Sequence, residues 1–420
     1  MEEGVEFYTG REVLQYSSGN ERSSCVCGKI GVGSTVGAGR YLILETVGSG
    51  SHAEVSTATD LYSAEVDKVV ALKRIPNPWR NPEYAKNVMR EITLMKCLQS
   101  DYLLPVIDVF VECVDKEKVE LFVVTEPMAS TVRHVVRSDM DLSIQHIKRF
   151  MLQLFLGLRV LHVNNVVHGD IKPSNLLINA DSSLKIGDFG NARVLQGGRK
   201  AGFQADSVVS RWYQPPEVCL KGHCGTKVDM WSAGCVLAEL LLRKPLYTGA
   251  STNQQVESIV SSLGSSACSY VDHLEDPSAI RFLSSLPDYR AKPFSELKEF
   301  KDIDREAVDL LEHLLVFNPE KRYSAEEALK HPFFSDVFKT EMLEKVVVTD
   351  IEDDTISDLQ SCCTSSSPSF ALLAEIQSTT ELCDSSERFA RTPSLRMSAM
   401  QKYEKQINSP ISVISQYTSL

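Results

Sequence analysis

The chain has 420 residues, of which 43% are hydrophobic and 24% are charged, and its formal net charge is -12 at pH 7. These values are ordinary for a globular protein, and the acidic balance argues against a whole-chain preference for nucleic acid or an anionic membrane surface. The chain has 11 cysteines. They form no pair of CxxC motifs, and no secretory signal or membrane-length apolar run is present, so we expect no zinc site, no membrane span and a location in the cytoplasm and/or nucleus.

The first 39 residues predict a flexible N-terminal extension. They are rich in glycine, serine and charge, and they end in the glycine-rich run 31–39. Such a run can cradle phosphate when a strand precedes it. Here the first predicted strand begins only at Tyr41, so we interpret the run as a linker.

Short β-branched runs predict strands at 41–47, 68–72 and 121–125. One helical pattern interrupts them at about 82–98, where Val88, Ile92 and Met95 recur at helical spacing. This part of the chain is therefore predicted to be a small β-rich unit that ends near residue 128.

Helical patterns dominate the region from about 129 to 334. Residues 144–162 carry one apolar stripe, whereas 229–242 are apolar nearly all round, as is typical of a helix at the centre of a large domain. A small β-rich part followed by a larger helical part predicts a two-lobed α+β fold, with an N-lobe at about 40–128 and a C-lobe at about 129–334. The serine-rich acidic tail, 335–420, is predicted to be largely disordered.

Two features of the N-lobe suggest a phosphate site. Gly48 and Gly50 directly follow a predicted strand, and backbone N–H groups in such a hairpin can approach phosphates without Cβ obstruction. Lys73 ends the next strand, where a buried cation needs a partner, and Glu91 on the following helix can supply it. Taken singly, each of these residues would more often be an ordinary turn or surface residue.

The segment 168–175 reads His-Gly-Asp-Ile-Lys-Pro-Ser-Asn, and Asp188-Phe-Gly follows 13 residues after Asn175. Asp170 can accept the proton of an incoming hydroxyl, and Lys172 can neutralise charge on a transferring phosphoryl group. Asn175 and Asp188 offer the hard oxygen ligands that Mg²⁺ prefers. An ordered set with this spacing is far more specific than any member, and it predicts phosphoryl transfer from ATP.

Three residues further along the chain are predicted to support this site. Glu217 needs a buried cation, for which Arg322 is the natural candidate. Asp229 opens the central apolar helix, where a carboxylate can accept backbone N–H groups. We interpret Asp229 as a scaffold for the loop around Asp170.

Residues 40–334 resemble a eukaryotic protein kinase of the CMGC group, and within it most resemble a mitogen-activated protein (MAP) kinase. The segments that carry the resemblance are 85–97, 168–175, 210–213 and 256–264. The resemblance implies the protein kinase fold, ATP and Mg²⁺ as cofactors, protein substrates phosphorylated on serine or threonine, and an upstream kinase or activating protein as a partner. Lys172 is what serine/threonine kinases carry two residues after the catalytic aspartate.

The resemblance also assigns binding roles. Thr125 resembles the gatekeeper, and adenine is expected to be held by the carbonyl of Glu126 and the N–H of Met128, since Pro127 has none. The catalytic set is Asp170, Lys172, Lys73 and Glu91, and the metal ligands are Asn175 and Asp188. The full ATP-binding set is Val47, Gly48, Ser49, Gly50, Ser51, His52, Ala53, Val55, Ala71, Lys73, Thr125, Glu126 and Met128. The activation segment is expected to use Asp188, Phe189, Gly190, Ser207, Ser210 and Glu217, with Asp229 and Arg322 as structural residues.

The chain departs from the family at the activation switch. Position 169 is glycine where the family usually has one of three arginines that grip a phosphothreonine; the other two are matched by Arg90 and Arg193. The family's Thr-x-Tyr aligns with Ala-Asp-Ser at 205–207. The residues that would be phosphorylated and one of the arginines that would bind the phosphate are therefore both changed. For this reason we predict that standard dual phosphorylation does not activate this chain.

Two alternatives remain open from the sequence. Gln214 replaces the arginine that in this group favours proline after the target residue, so proline-directed specificity is only a leaning. The changed Gly169 and Ala53 also suggest a pseudokinase that acts as a scaffold, although the catalytic and metal-binding residues named above are all present, which favours an enzyme.

Overall fold

The structure of the protein is a computed structural model, and it describes residues 30–50, 53–115, 118–195, 210–222, 224–266, 274 and 276–337. Residues 338–420 of the predicted tail, together with Ser51, His52 and Ser207, lie outside the described residues. None of the helices in these ranges has the length and apolar character needed to span a bilayer.

The N-lobe is an antiparallel sheet with the strand order β1-β2-β3-β4-β6-β5. Its strands are β1 (Thr35–Val36), β2 (Tyr41–Ser49), β3 (Glu54–Asp60), β4 (Val69–Pro76), β5 (Val106–Asp115) and β6 (Lys118–Thr125). Helix α1 (Pro82–Cys97) interrupts the strands where the sequence predicted it. Asn81 caps this helix by accepting a hydrogen bond from the N–H of Tyr84, and proline at its first position suits a helix start.

The sheet begins earlier than predicted, which corrects the proposed boundary at residue 39. Strand β1 pairs with β2, and the N–H of Gly37 donates to Glu112 Oε1 at 2.7 Å. Gly37 has φ +65°, and a Cβ there would lie 2.9 Å from Tyr41 Cδ2, so the turn requires glycine. Residues 30–39 therefore belong to the folded N-lobe rather than to a flexible linker.

The C-lobe is mainly helical. Its helices are α2 (Val132–Arg137), α3 (Ile144–Val163), α4 (Pro216–Cys219), α5 (Lys227–Leu242), α6 (Thr252–Leu263), α7 (Pro277–Ser285), α8 (Arg305–Leu314) and α9 (Ala325–Leu329). Its short strands are β7 (Ser130–Thr131), β8 (Val166–Val167), β9 (Leu176–Ile178), β10 (Leu184–Ile186) and β11 (Arg193–Val194). They pair as β10-β9-β7 and β11-β8. The predicted two-lobed α+β fold is confirmed.

The C-lobe core surrounds α3 and α5. Helix α5 is buried on nearly every side, as its apolar sequence predicted, and Trp231 within it is fully buried. Smaller apolar clusters lie on the two faces of the N-lobe sheet. The short strands β8 to β11 bracket the loops that carry Asp170 and Asp188, and they hold these loops at the boundary of the two lobes.

Candidate active site

The glycine-rich hairpin connects β2 and β3. Gly48 pairs with Val55 and Ser49 with Glu54, and the N–H of Gly50 donates to the carbonyl of Ala53 at 2.8 Å. Val47 is exposed, and Ala53 packs on the N-lobe cluster around Val88. The described part of the predicted phosphate loop is therefore a hairpin turn between β2 and β3.

Lys73 of β4 forms an ion pair with Glu91 of α1, and its Nζ lies 3.9 Å from Asp188 Oδ1. Glu91 is buried. Burial alone would lower the pKa of Lys73, but the carboxylates of Glu91 and Asp188 raise it above its usual range. The ammonium is thus held in its charged form, as binding of anionic phosphates requires.

Asp188 has backbone angles φ 62° and ψ 74°, a left-handed conformation that non-glycine residues seldom adopt. Burial opposes its ionisation, yet the nearby cations, led by Lys73, lower its pKa below its usual range. Phe189 is buried with its ring against that of His168, at a centroid distance of 5.2 Å. Together these features aim an ionised carboxylate at Lys73.

The loop around Asp170 brings together the residues predicted for catalysis. Lys172 Nζ donates to Asp170 Oδ2 at 2.6 Å, and Asn175 Nδ2 lies 3.2 Å from the same oxygen. Asn175 Nδ2 also donates to the Asp170 carbonyl at 2.9 Å. Because a carbonyl can only accept, this bond fixes the amide orientation and leaves Asn175 Oδ1 as an available ligand.

Asp229 is fully buried, and its carboxylate accepts hydrogen bonds from the loop rather than from its own helix. The N–H groups of His168 and Gly169 donate to it at 2.9 and 2.8 Å, and His162 Nε2 lies 2.9 Å away. His168 Nε2 donates in turn to the carbonyl of Gly187, 3.1 Å away. One carboxylate on α5 therefore ties the Asp170 loop to the segment before Asp188.

Glu217 and Arg322 form a buried bidentate ion pair, with oxygen–nitrogen distances of 2.8 and 3.1 Å. Arg322 also donates to the carbonyls of Val316 and Lys227, and its guanidinium lies 5.2 Å from the centre of the Trp231 ring. The pair joins α4 to the turn before α9. Sequence reasoning paired these two residues across 105 positions.

The hinge lies between β6 and β7. Ala71 pairs with Thr125 across the sheet, and Thr125 is buried with its hydroxyl 3.3 Å from the Glu126 carbonyl. Met128 follows Pro127 at the start of the connection to β7. The structure thus places the residues predicted to hold adenine on one short segment beside the lysine strand.

Part of the activation segment is described. Gly190 follows Phe189 in a short 3₁₀ turn, and Ser210 begins another, Ser210–Tyr213, although its side chain is not described. Gly169 has φ +75°, a left-handed value at which glycine is unstrained. The sequence change at position 169 therefore also suits the local backbone.

Comparison with known proteins agrees with this geometry. The protein kinase domain family matches residues 41–334. The mitogen-activated protein kinase homolog NTF3 of Nicotiana tabacum is 36% identical over 300 residues, which cover 71% of this chain and 79% of the relative. Mitogen-activated protein kinase 7 of Arabidopsis thaliana is 35% identical over 300 residues, covering 71% and 80%. The homolog NTF6 of Nicotiana tabacum is 38% identical over 292 residues, covering 69% and 76%.

The chain belongs to the MAP-kinase-like protein kinases of the CMGC group. It is a serine/threonine protein kinase, and the family implies ATP, a divalent metal, protein substrates and upstream kinases.

A second group of potential metal ligands lies in the C-lobe of this kinase, where Asp309, His313 and His331 converge. His331 Nδ1 accepts the N–H of Phe333 at 3.2 Å, so its proton sits on Nε2, which lies 2.8 Å from Asp309 Oδ2. A metal ion would need the unprotonated Nε2. The hydrogen bonds therefore favour a structural role for this group.

Sequence reasoning missed the contacts behind the hinge. Asn179 and Lys185, on the β9–β10 hairpin, lie against Ala129 and Glu126. Asn179 reads as an ordinary turn residue in the sequence, and no local pattern signals its partner.

Proposed function

We propose that this kinase transfers the γ-phosphoryl group of ATP to a serine or threonine hydroxyl with Asp170 as the orienting base. The observation that carries the proposal is the Asp170 carboxylate, held at Oδ2 by Lys172 and Asn175 on a loop fixed by Asp229. Both contacts fall on Oδ2, so Oδ1 can accept the proton of the attacking hydroxyl. Lys172 then lies where charge develops on the transferring group.

Asn175 and Asp188 suit Mg²⁺ because both offer hard oxygen donors. The amide orientation of Asn175 leaves Oδ1 available, and the Asp188 side chain is 50% exposed. Bound Mg²⁺ would supply charge neutralisation on the phosphates. Lys73, fixed by Glu91, would bind the α- and β-phosphates, and Glu126 and Met128 would bind adenine.

We also propose that activity does not depend on a phosphothreonine in the activation segment. Gly169 has no side chain with which to bind a phosphate, and the sequence at 205–207 offers no Thr-x-Tyr acceptor. A phosphate-ordered segment needs both the added charge and the arginines that receive it. Asp206 can supply a permanent negative charge, or an activating protein can order the segment.

Phosphatase treatment of protein produced in bacteria is expected to leave at least about half of the kinase activity, because no receptor for a phosphate is complete. The measurement is the initial rate on a generic protein substrate before and after treatment, with phosphate removal checked by mass spectrometry. Ser207→Ala is the matched variant, since Ser207 is the remaining hydroxyl at 205–207. Near-total loss of activity in either experiment would contradict the proposal.

A preference for proline after the target residue is expected to be weaker than in kinases that carry arginine at position 214. Gln214 lines a small cavity of about 10 Å³ with Gly169, Asp170 and Ser232. Its neutral amide replaces a cation beside the segment that receives the substrate. A peptide-library profile measures this preference. A proline selection as strong as that of an arginine-bearing relative would contradict the expectation, and Gln214→Arg should increase selection for proline.

The second candidate function is a pseudokinase scaffold, which the changes at Gly169 and Ala53 suggest. The intact Lys73–Glu91 pair and the Asp170 loop favour the enzyme.

We propose a cytoplasmic and/or nuclear location, in keeping with the reduced thiols expected from the sequence.

A further inference from the structure

The β9–β10 hairpin of the C-lobe contacts the hinge directly. The N–H of Ala129 donates to Asn179 Oδ1 at 3.0 Å, and Asn179 Nδ2 lies 3.5 Å from Met128 Sδ. One side chain thus contacts two successive residues of the segment that links the lobes. Because the bond to Ala129 is made through the backbone, it fixes the path of the chain just after Met128.

A second contact reaches the other end of the hinge. Lys185 Nζ lies 3.1 Å from Glu126 Oε1, and it donates to the carbonyl of Asp101 at 2.9 Å. The approach to Glu126 is an ion pair rather than an aligned hydrogen bond. The Lys185 side chain is only 15% exposed, so solvent screens the pair less than it would at the open surface.

The hairpin is itself fixed to the C-lobe core. Gln153 of α3 donates from Nε2 to the carbonyl of Ser182 at 2.9 Å and accepts the N–H of Leu184 at 2.8 Å. The N–H of Asn179 donates to the carbonyl of Ser183 at 3.0 Å, which closes the hairpin turn. The side chains that contact the hinge therefore project from a rigid element.

We infer that Asn179 and Lys185 are positioning residues for the nucleotide. They hold the backbone from Glu126 to Ala129, which contains the carbonyl and N–H proposed to bind adenine. A preformed hinge binds the base without the cost of ordering this segment. The inference rests on the proposed adenine contacts, and it adds residues that themselves touch no nucleotide.

Asn179→Leu and Lys185→Met are expected to raise the dissociation constant for adenosine about 3- to 10-fold each, the size of one net hydrogen bond or partly buried ion pair. Adenosine is the probe because it carries the base without phosphates, and calorimetry on the full chain measures its binding without catalysis. Affinity for tripolyphosphate should stay within about twofold, since Lys73 and the metal ligands are untouched. Asn179→Asp keeps the acceptor for Ala129 and should retain most of the affinity.

In steady-state kinetics, Asn179→Leu and Lys185→Met should raise KM for ATP. In both variants kcat should change little, and so should KM for a peptide substrate. The matched controls are Asn253→Leu and Lys244→Met, which replace exposed residues of the C-lobe and should behave as wild type. Thermal melting checks folding of every variant, and the Lys185 variant tests the inference if Asn179→Leu does not fold.

The possible outcomes test the role of Asn179 and Lys185 separately from the proposed adenine contacts. Wild-type protein that binds ATP analogues but not adenosine would overturn the proposed adenine contacts. Wild-type protein that binds adenosine, with unchanged affinity in Asn179→Leu and Lys185→Met, would overturn the inference alone. An equal loss of adenosine and tripolyphosphate binding would assign the hairpin a general structural role and also overturn it.

Discussion

Replacing Asp170 by asparagine is expected to lower kcat for phosphorylation of a protein substrate by about two to four orders of magnitude, the usual contribution of a positioned general base. The amide can still accept from Lys172, so the loop should keep its shape. It cannot take the hydroxyl proton, because an amide oxygen is far less basic than a carboxylate. The initial rate with labelled ATP measures the effect.

The affinity for ADP should stay within about twofold in Asp170→Asn, because Asp170 is proposed to face the substrate hydroxyl rather than the nucleotide. Asp302→Asn makes the same chemical change at an exposed position of the C-lobe and should leave the rate unchanged. Equal rates in wild type and Asp170→Asn would point to a contaminating kinase and would favour the scaffold alternative.

The long helices α1, α3 and α5 could be predicted from the sequence, because their signals are local. Helix α1 was expected at 82–98 and spans Pro82–Cys97, with Asn81 as its cap. Helix α3 was expected at 144–162 and spans Ile144–Val163, with Ser143 as its cap. In both, the cap and the apolar spacing lie within one continuous segment, so neither depends on a distant partner.

Strand β1 could not be predicted in this way. The strand has only two residues, and its turn is held by Glu112 and by the Tyr41 ring, which stacks on Phe110 at a centroid distance of 5.5 Å. Gly37 of this turn and its partner Glu112 lie 75 positions apart in the chain. A glycine-rich run therefore read as a linker although tertiary contacts make it part of the sheet.

The site shows the same division between local and distant information. The spacing of Asp170, Lys172 and Asn175 within one loop predicted their convergence. Asp229 was expected to support that loop. The two N–H groups that donate hydrogen bonds to it lie 61 and 60 residues away, and the sequence did not identify them. The Asn179 contact with Ala129 spans 50 residues and has no sequence signature at all.

Arg322→Met is expected to lower the free energy of unfolding by about 3–5 kcal/mol, because it leaves the Glu217 carboxylate buried without its cation. Glu217 and Arg322 are each only 1% exposed, so water cannot replace the lost contacts. The carbonyls of Val316 and Lys227 lose a donor as well. This is a large fraction of the roughly 5–15 kcal/mol that stabilises a typical domain.

Urea unfolding followed by intrinsic fluorescence measures the loss, with the thermal midpoint as a second readout. Lys321→Met removes the exposed neighbouring cation and should change stability by no more than about 0.5 kcal/mol. The double variant Glu217→Leu/Arg322→Met removes both charges, so it should be more stable than Arg322→Met by at least about 1 kcal/mol. If the double variant is no more stable than the single one, the cost does not come from the unpaired carboxylate. The loss would then come from the hydrogen bonds that Arg322 donates to the carbonyls of Val316 and Lys227.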